Sequence, residues 1–404
     1  MTSPALRLVW SQVARRRYRL PSALDSALEG AKWRLRRPPE GLDLAPPPDG
    51  PEPHLLIGPA NAAGQGHAWA QAVTQSGQAR AVNWAFQANP VFAYEADYAV
   101  PIAINAAPAN FQSAQFQRVT GSFQAVLAES GRPLFGRLFG YNPRREALAL
   151  QVAGLKVALV WHGSDIRLPS HHLASHPLSP YGLPQLRARA AELESTARRN
   201  RRLMWPTGLP QLVSTPDLLD QVPGAIWCPV VVRALASPAG PILDRPVPRV
   251  VHIPSNPLLK GTDLIDPVLR RLERAGRIEY LRAEGLPASE VGRLYASADI
   301  VADQFRLGIY GVAAAEAMAA GRLVLSDADQ AVQDAVRRLS GLGLPIVRTS
   351  AQDLEITLER IMTNPEPFRA LAASGPGFVE AVHSGRCSAE AILEACGLAG
   401  RTTS

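Results

Sequence analysis

The stretch RVVHIPSNPLLKGTDLIDPVLRRLERAGRIEYL, residues 249–281, decides the fold. RVVHIPSN reads as a strand, TDLIDPVLRRLERAG as a helix and RIEYL as the next strand. The alternation continues downstream: PASEVGRLYASA (287–298) is a helix, DIVADQ (299–304) a strand, YGVAAAEAMAAG (310–321) a helix, and LVLSD (323–327) and PIVRTS (345–350) two more strands. Strand and helix in turn imply a parallel sheet covered on both faces.

The same pattern stands upstream. HLLIGPANAAGQGHAWAQAV (54–73) is a short apolar strand, a glycine-bearing turn and a helix, and strand signals recur at YAVPIAI (98–104), KVALVWHG (156–163) and IWCPVVV (226–232). Two proline-rich stretches, PPEGLDLAPPPDGPEP (38–53) and ASPAGPILDRPVP (236–248), interrupt the alternation and read as linkers. The expected organisation is therefore a basic N-terminal segment with its linker (1–53), a first Rossmann-like α/β domain (54–235), a linker (236–248) and a second Rossmann-like domain (249–404) closed by C-terminal helices. A mass of 43.4 kDa also favours two cores over one. Two such units face each other across a cleft at the carboxyl ends of their strands, where open α/β sheets bind ligands.

The net charge of +7 is concentrated in residues 1–37, which carry nine Arg or Lys against Asp25 and Glu29. The remaining chain is balanced, so no positive field tracks a nucleic-acid backbone. In the basic segment Leu6, Val9, Trp10 and Val13 follow helical spacing and Trp33 lies among arginines. Two readings stay open: a segment lying on an anionic membrane surface, and a helix docked on the body with its arginines in water. Three cysteines (Cys228, Cys387, Cys396), odd in number and unclustered, argue against a disulfide framework and fit a reducing cytoplasm. No run reaches the roughly 18 apolar residues of a membrane span, and the start lacks the features of a signal peptide. The expected location is the cytoplasm, with a peripheral place at the inner membrane face if the basic segment binds lipid.

Two residues carry the chemistry. Glu316 is the single polar side chain in GVAAAEAMAAG (311–321), and a helix apolar all round is buried. A buried carboxylate requires hydrogen-bond donors, from a backbone amide, a core arginine, or vicinal hydroxyls such as those of a ribose. Lys260 is one of three lysines among 42 Lys and Arg, and it precedes Gly261 and a helix whose start, Thr262 and Asp263, has capping character. An ammonium beside a helix N-terminus suits phosphate; a solvated loop lysine is the alternative. The GIYG turn (308–311), with Tyr310 between its glycines and Arg306 just before it, supplies a second glycine-flanked helix start. Phosphate, phosphate and ribose carboxylate together describe a nucleotide diphosphate.

KGTDL, followed some fifty residues later by GIYGVAAAEAMAAGRLVLSD, resembles the donor-binding half of the family 4 retaining glycosyltransferases, which have the GT-B fold. The resemblance implies that Lys260 holds the donor phosphate and Glu316 the ribose. It is looser upstream, where KVALVWHGSDIR places His162 at a strand end, as in the family's histidine facing the donor sugar. Asp165 and Arg167 follow His162 towards the cleft. GPANAAGQGHAW, with Gly64 and Gly66, resembles the glycine-rich loop that approaches acceptor and phosphate. Two positions depart from the family pattern: Gly308 stands where its first glutamate is expected, and Ser255 where its pyrophosphate arginine is. Asp303 and Arg306 are the candidates to replace the missing carboxylate and the missing positive charge.

The implied activity is transfer of a sugar, with retention, from a nucleotide diphosphate sugar to an acceptor, without a further cofactor or a metal. Within it Lys260, Glu316 and His162 carry catalysis, and Arg306, Gly308, Tyr310, Gly311, Ser255, Gly64, Gly66 and Asp303 line the donor site. The departures keep two alternatives open: a GT-B nucleotide-sugar-binding partner protein that has lost transfer, and a sugar-nucleotide epimerase. The HHLASH run, His171, His172 and His176, has spacing unsuited to a shared metal and reads as a polar loop.

Overall fold

The computed structural model describes residues 43–87, 94–101, 108–232, 240–286 and 288–399, together with Ala31. The basic segment 1–37, for which membrane binding was considered, lies outside the described residues apart from Ala31.

The first sheet contains β1 (His54–Gly58), β2 (Arg80–Gln87), β3 (Tyr98–Pro101), β4 (Ala125–Glu129), β5 (Lys156–Trp161), β6 (Gln211–Val213) and β7 (Ile226–Trp227). Its strands are all parallel, in the order β3-β2-β1-β4-β5-β6-β7. Helices α1 (Gln65–Gln75), α2 (Ala109–Ser122), α3 (Pro143–Val152), α4 (Pro169–Ser175) and α5 (Arg187–Met204) connect them. The second sheet contains β8 (Arg249–His252), β9 (Glu279–Arg282), β10 (Ile300–Ala302), β11 (Leu323–Ser326) and β12 (Ile346–Arg348), again all parallel, in the order β12-β11-β10-β8-β9. Its helices are α6 (Pro257–Lys260), α7 (Thr262–Arg274), α8 (Ala288–Ser297), α9 (Val312–Ala319), α10 (Gln330–Ser340), α11 (Leu354–Thr363), α12 (Glu366–Ala373), α13 (Gly375–His383) and α14 (Arg386–Ala395).

Each sheet is buried on both faces, as parallel sheets require. Along β1, Leu56 packs with Val126, Leu159 and Trp84 on one side, while Leu55 and Ile57 pack with Leu127, Val160 and Trp69 on the other. Strand order reverses between β1 and β4 in the first sheet and between β8 and β10 in the second. The crevices at those two reversals, at the carboxyl ends of the strands, are the expected ligand positions.

Three of the differences from the sequence expectation concern how the two domains are joined. The strand read at 226–232 stops at Trp227, because Pro229 has no N–H for a ladder. Residues 228–232 instead bond to the end of α13: the Val232 amide donates to the His383 carbonyl at 3.0 Å, and His383 Nδ1–H donates to the Val230 carbonyl at 2.7 Å. The described part of the second linker, 240–248, packs on the second domain, with Ile242 and Leu243 in its core and the Leu243 amide donating to Asp299 at 2.7 Å. Finally, α14 returns to the first domain, where Ile392, Leu393 and Cys396 pack against Trp69 and Val73 of α1. Burying Ile392 and Leu393 contributes about 1.5–3 kcal/mol each, so the chain's end fastens the two domains together.

Candidate functional site

Lys260 is positioned by two short-range devices. Asn256 caps α6 by accepting from the Leu259 amide at 3.1 Å, and Gly261 takes a left-handed φ of 76° to turn from α6 into α7. A Cβ at Gly261 would lie 3.1 Å from both Phe305 Cβ and Arg306 Cγ. Glycine therefore lets the segment after β8 lie against the segment after β10, an approach sealed by the Phe305 amide donating to the Lys260 carbonyl at 3.0 Å. The capping expected of Thr262 and Asp263 is not what they do. The N-cap of α7 is Gly261, the Thr262 hydroxyl donates to His252 Nε2 at 2.7 Å, and Asp263 pairs with Arg306. His252 donates from Nδ1 to the Ala302 carbonyl at 2.7 Å, and burial pushes its pKa down to about 4, so a neutral ring clamps β8, β10 and α7 together.

Lys260 Nζ donates to Asp303 Oδ1, and the other Asp303 oxygen is buried with no hydrogen-bond partner among the described residues. Glu316 projects from α9 into the same place. Burial raises its pKa to about 7, the Asp303 charge adds to that rise, and Lys260 works against it. No hydrogen bond or ion pair satisfies the Glu316 carboxylate among the described residues. Among the described residues, the second crevice thus holds one closed ion pair, one orphaned carboxylate oxygen and one acid without a hydrogen-bond partner.

The other positions read from the second half of the chain divide. Ser255 is exposed at the crevice loop. Gly311 begins α9 with open space beside its Cα. Gly308 has a left-handed φ of 66°, and a Cβ there would lie 2.3 Å from Asp329 Oδ2. Where the family pattern has a glutamate side chain, this chain puts the carboxylate of Asp329, which also contacts His176 Nε2 at 2.5 Å. Tyr310 is turned into the core: its hydroxyl donates to His383 Nε2 at 3.2 Å, and burial pushes the phenol strongly upwards. Arg306 is buried, with Nη2 on Asp263 at 2.5 Å and Nη1 donating to the Leu178 carbonyl of the first domain at 3.1 Å. Its charge is paired with Asp263 and its Nη1 bond joins the domains, while Nε is buried with no hydrogen-bond partner among the described residues.

In the first domain His162 follows β5, stacked on Trp69 with centroids 5.4 Å apart and donating from Nε2 to Glu129 at 3.1 Å. Burial pulls the imidazole down, but the Glu129 hydrogen bond and charge, helped by Asp165, outweigh it and the net displacement is upwards. Glu129, fully buried at the end of β4, was not read from the sequence. Its second oxygen accepts from the Ala60 and Asn61 amides at 2.8 and 2.9 Å, so it ties the glycine-bearing loop to His162. The signal available was a carboxylate ending the apolar run AVLAE. Gly66 allows α1 to approach β2, since a Cβ would lie 2.5 Å from Asn83 Nδ2, while Gly64 is covered by the Tyr94 ring. The Tyr94 phenol is raised by burial and, to a smaller extent, by the charge of Glu316. Asp165 and Arg167 do not enter the cleft. Asp165 accepts from the His162 and Gly163 amides, and Arg167 is buried against Asp217. The histidine run forms α4 and its end rather than a polar loop: His172 and His176 stack 4.0 Å apart, and His172 Nε2 lies 3.3 Å from the Leu307 carbonyl.

The two parallel-sheet domains, one carrying His162 and the other Lys260 and Glu316, are matched by solved structures over nearly all of their length. A glycosyltransferase from Rickettsia africae aligns with a TM-score of 0.55 at 11% identity, covering 87% of this chain and 99% of that one. Sucrose-phosphate synthase from Thermosynechococcus elongatus aligns at 0.54 and 14%, covering 85% and 98%. HepE of Anabaena, solved in complex with UDP-glucose, aligns at 0.50 and 13%, covering 84% and 98%. The chain has the GT-B fold. No protein-family profile and no curated protein matches the sequence. In this GT-B chain Lys260 is paired with Asp303 near Glu316, Arg306 is engaged by Asp263 and the Leu178 carbonyl, and Tyr310 is buried against His383. No helix among the described residues is long and apolar enough to cross a membrane.

Proposed function

We propose that the chain is a glycosyltransferase of the retaining, family 4-like kind, moving a sugar from a nucleotide diphosphate sugar to an acceptor. The observation that carries this reading is the Glu316 carboxylate, without a hydrogen-bond partner among the described residues, near Lys260 at the strand-order reversal of the second sheet. A carboxylate accepts from both hydroxyls of a ribose, which would repair the missing hydrogen bonds of Glu316. Lys260 is placed for the phosphates, whose negative charge would compete with Asp303 for the ammonium. Preorganised positive charge aimed at a departing diphosphate is usually the largest catalytic contribution in such chemistry. His162, held by Glu129 and Trp69, is the group for the donor sugar.

The test is incubation with UDP-, GDP- and dTDP-sugars, with and without acceptor extracts, following nucleotide release. UDP-glucose is the first arm because HepE was solved with it. Release that depends on acceptor supports transfer. Binding without release in every arm selects the second reading, a nucleotide-sugar-binding protein without transfer, which Gly308, Ser255 and the engagement of Arg306 favour. Release or interconversion without acceptor selects an epimerase.

Glu316 gives the reading a pH signature. With its pKa near 7, the ionised form that accepts both hydroxyls is about a tenth of the population at pH 6 and about nine-tenths at pH 8. Affinity for a nucleoside, which carries no phosphate to titrate, is expected to rise about tenfold over that interval, and Glu316→Gln is expected to abolish the rise. A flat calorimetric profile in the unaltered protein removes the ribose role. Membrane attachment through residues 1–37 is a separate expectation, checked by sedimentation with phosphatidylserine vesicles: deletion of the segment is expected to abolish it, and equal sedimentation of both forms rejects it.

A further inference from the structure

A diphosphate in this cleft needs positive charge, and the two described cations read for that role from the second domain are each shared with a carboxylate. Lys260 is paired with Asp303 and Arg306 with Asp263, and across the cleft Arg167 is paired with Asp217. Arg132 differs. It is exposed, and it has no hydrogen-bond or ion-pair partner among the described residues, yet its charge is felt by the His162 ring.

Its position is fixed by the fold. Arg132 follows β4 at the reversal of strand order in the first sheet, three residues after the glutamate that holds His162. The turn leading to it is strained: Ser130 and Gly131 both have a φ of 59°. A non-glycine residue in that region persists where surrounding structure holds it. Here the hold is Asn200 of α5, whose Nδ2 donates to the Ser130 carbonyl at 3.3 Å and to the Asp165 carbonyl at 2.9 Å. The Ser130 amide donates to the Val160 carbonyl and the Arg132 amide to the Glu129 carbonyl, at 2.9 and 3.1 Å. Gly131 leaves room for the brace, since a Cβ would lie 2.9 Å from Asn200 Oδ1. The arginine thus leaves a pinned turn at the carboxyl end of β4, the same end of the sheet as His162.

We infer that Arg132 binds the diphosphate of the nucleotide ligand from the first domain, adding an unshared positive charge to that of Lys260, which is shared with Asp303. This rests on the nucleotide-sugar reading of the cleft. A guanidinium presents paired N–H donors to phosphate oxygens, and such charge-assisted bonds are the strong ones.

The experiment is calorimetric titration of the full chain with UDP, GDP and dTDP and with the three matching nucleosides. For whichever base binds, Arg132→Ala is expected to weaken the diphosphate roughly tenfold to hundredfold while leaving the nucleoside within about twofold. Arg132→Lys, which keeps the charge, is expected to recover part of the loss. Because Arg132 is exposed and has no partner among the described residues, the melting temperature should not move. Equal binding of diphosphate by Arg132→Ala and the unaltered protein overturns the inference but leaves the nucleotide reading standing. An equal loss for nucleoside and diphosphate also overturns it, as does a lysine variant no better than alanine. If the unaltered protein binds none of the six ligands, the inference and the reading beneath it fall together.

Discussion

Replacing Lys260 with alanine is expected to lower both turnover and stability, by separable amounts. Removing one preorganised donor to developing charge typically costs a factor of about 10²–10³ in rate, or about 2.7–4 kcal/mol. The stability effect has a different origin. Asp303 is 2% exposed and depends on Lys260 for its counter-charge, since its other oxygen already lacks a partner. Breaking a buried pair by deleting one member costs about 3–5 kcal/mol, which for domains of this size lowers the melting temperature by roughly 6–20 °C. The double variant Lys260→Met/Asp303→Asn removes both charges together and is expected to regain most of the lost melting temperature and none of the lost turnover. Steady-state rates and thermal melts on the three proteins decide it. Full turnover in Lys260→Ala would remove the phosphate role; recovery of rate in the double variant would show that the alanine protein had merely been unfolding.

That the segments carrying Lys260 and Glu316 belong to one parallel sheet was legible in the sequence, because Lys260 follows β8, the helix of Glu316 follows β10, and the strand–helix alternation of the second domain is clear. Their immediate partners were not. Asp303 lies 43 residues from Lys260, and Asp263 the same distance from Arg306, so both pairs exist through the packing of the segment after β8 on the segment after β10. Sequence spacing is silent on contacts of that kind. In the first domain β2 was missed because Asn83 sits in the middle of RAVNWAFQ; the structure buries that side chain and satisfies it with the Ile57 carbonyl at 3.1 Å. β4 was missed because alanine and leucine in AVLAE suit a helix as well as a strand. That omission mattered most, since β4 ends in Glu129 and leads into the turn before Arg132. The return of α14 to the first domain was likewise unreadable: an apolar helix face states that it will be covered, and the sheet that covers it depends on where the preceding helix ends.

Gly308 gives the second large effect, and it bears on whether the departure from the family pattern is a loss or a rearrangement. Installing a glutamate there is expected to destabilise the protein and to leave turnover no higher. A side chain at a φ of 66° costs about 1–2 kcal/mol in backbone strain alone. Its Cβ would also lie 2.3 Å from Asp329 Oδ2 and 2.6 Å from Asp329 Cγ, so Asp329 must move. Moving it breaks the contact with His176 of the first domain and disturbs the Asp329 amide, which donates to the Gly308 carbonyl at 2.8 Å. Together these terms exceed about 3 kcal/mol and lower the melting temperature by at least about 6 °C. A double-mutant cycle separates them. Gly308→Ala, which introduces the Cβ and nothing more, is expected to cost about 1–2 kcal/mol in an Asp329→Ala background and clearly more in the unaltered chain. Equal costs in the two backgrounds would show that Asp329 does not fill the space of the missing side chain. A coupling of the expected sign would mean that the carboxylate at this corner of the cleft has been moved from the turn before α9 to the start of α10, where His176 and the amide of its own residue hold it, and that glycine at 308 is the condition for that move rather than a relic of lost chemistry.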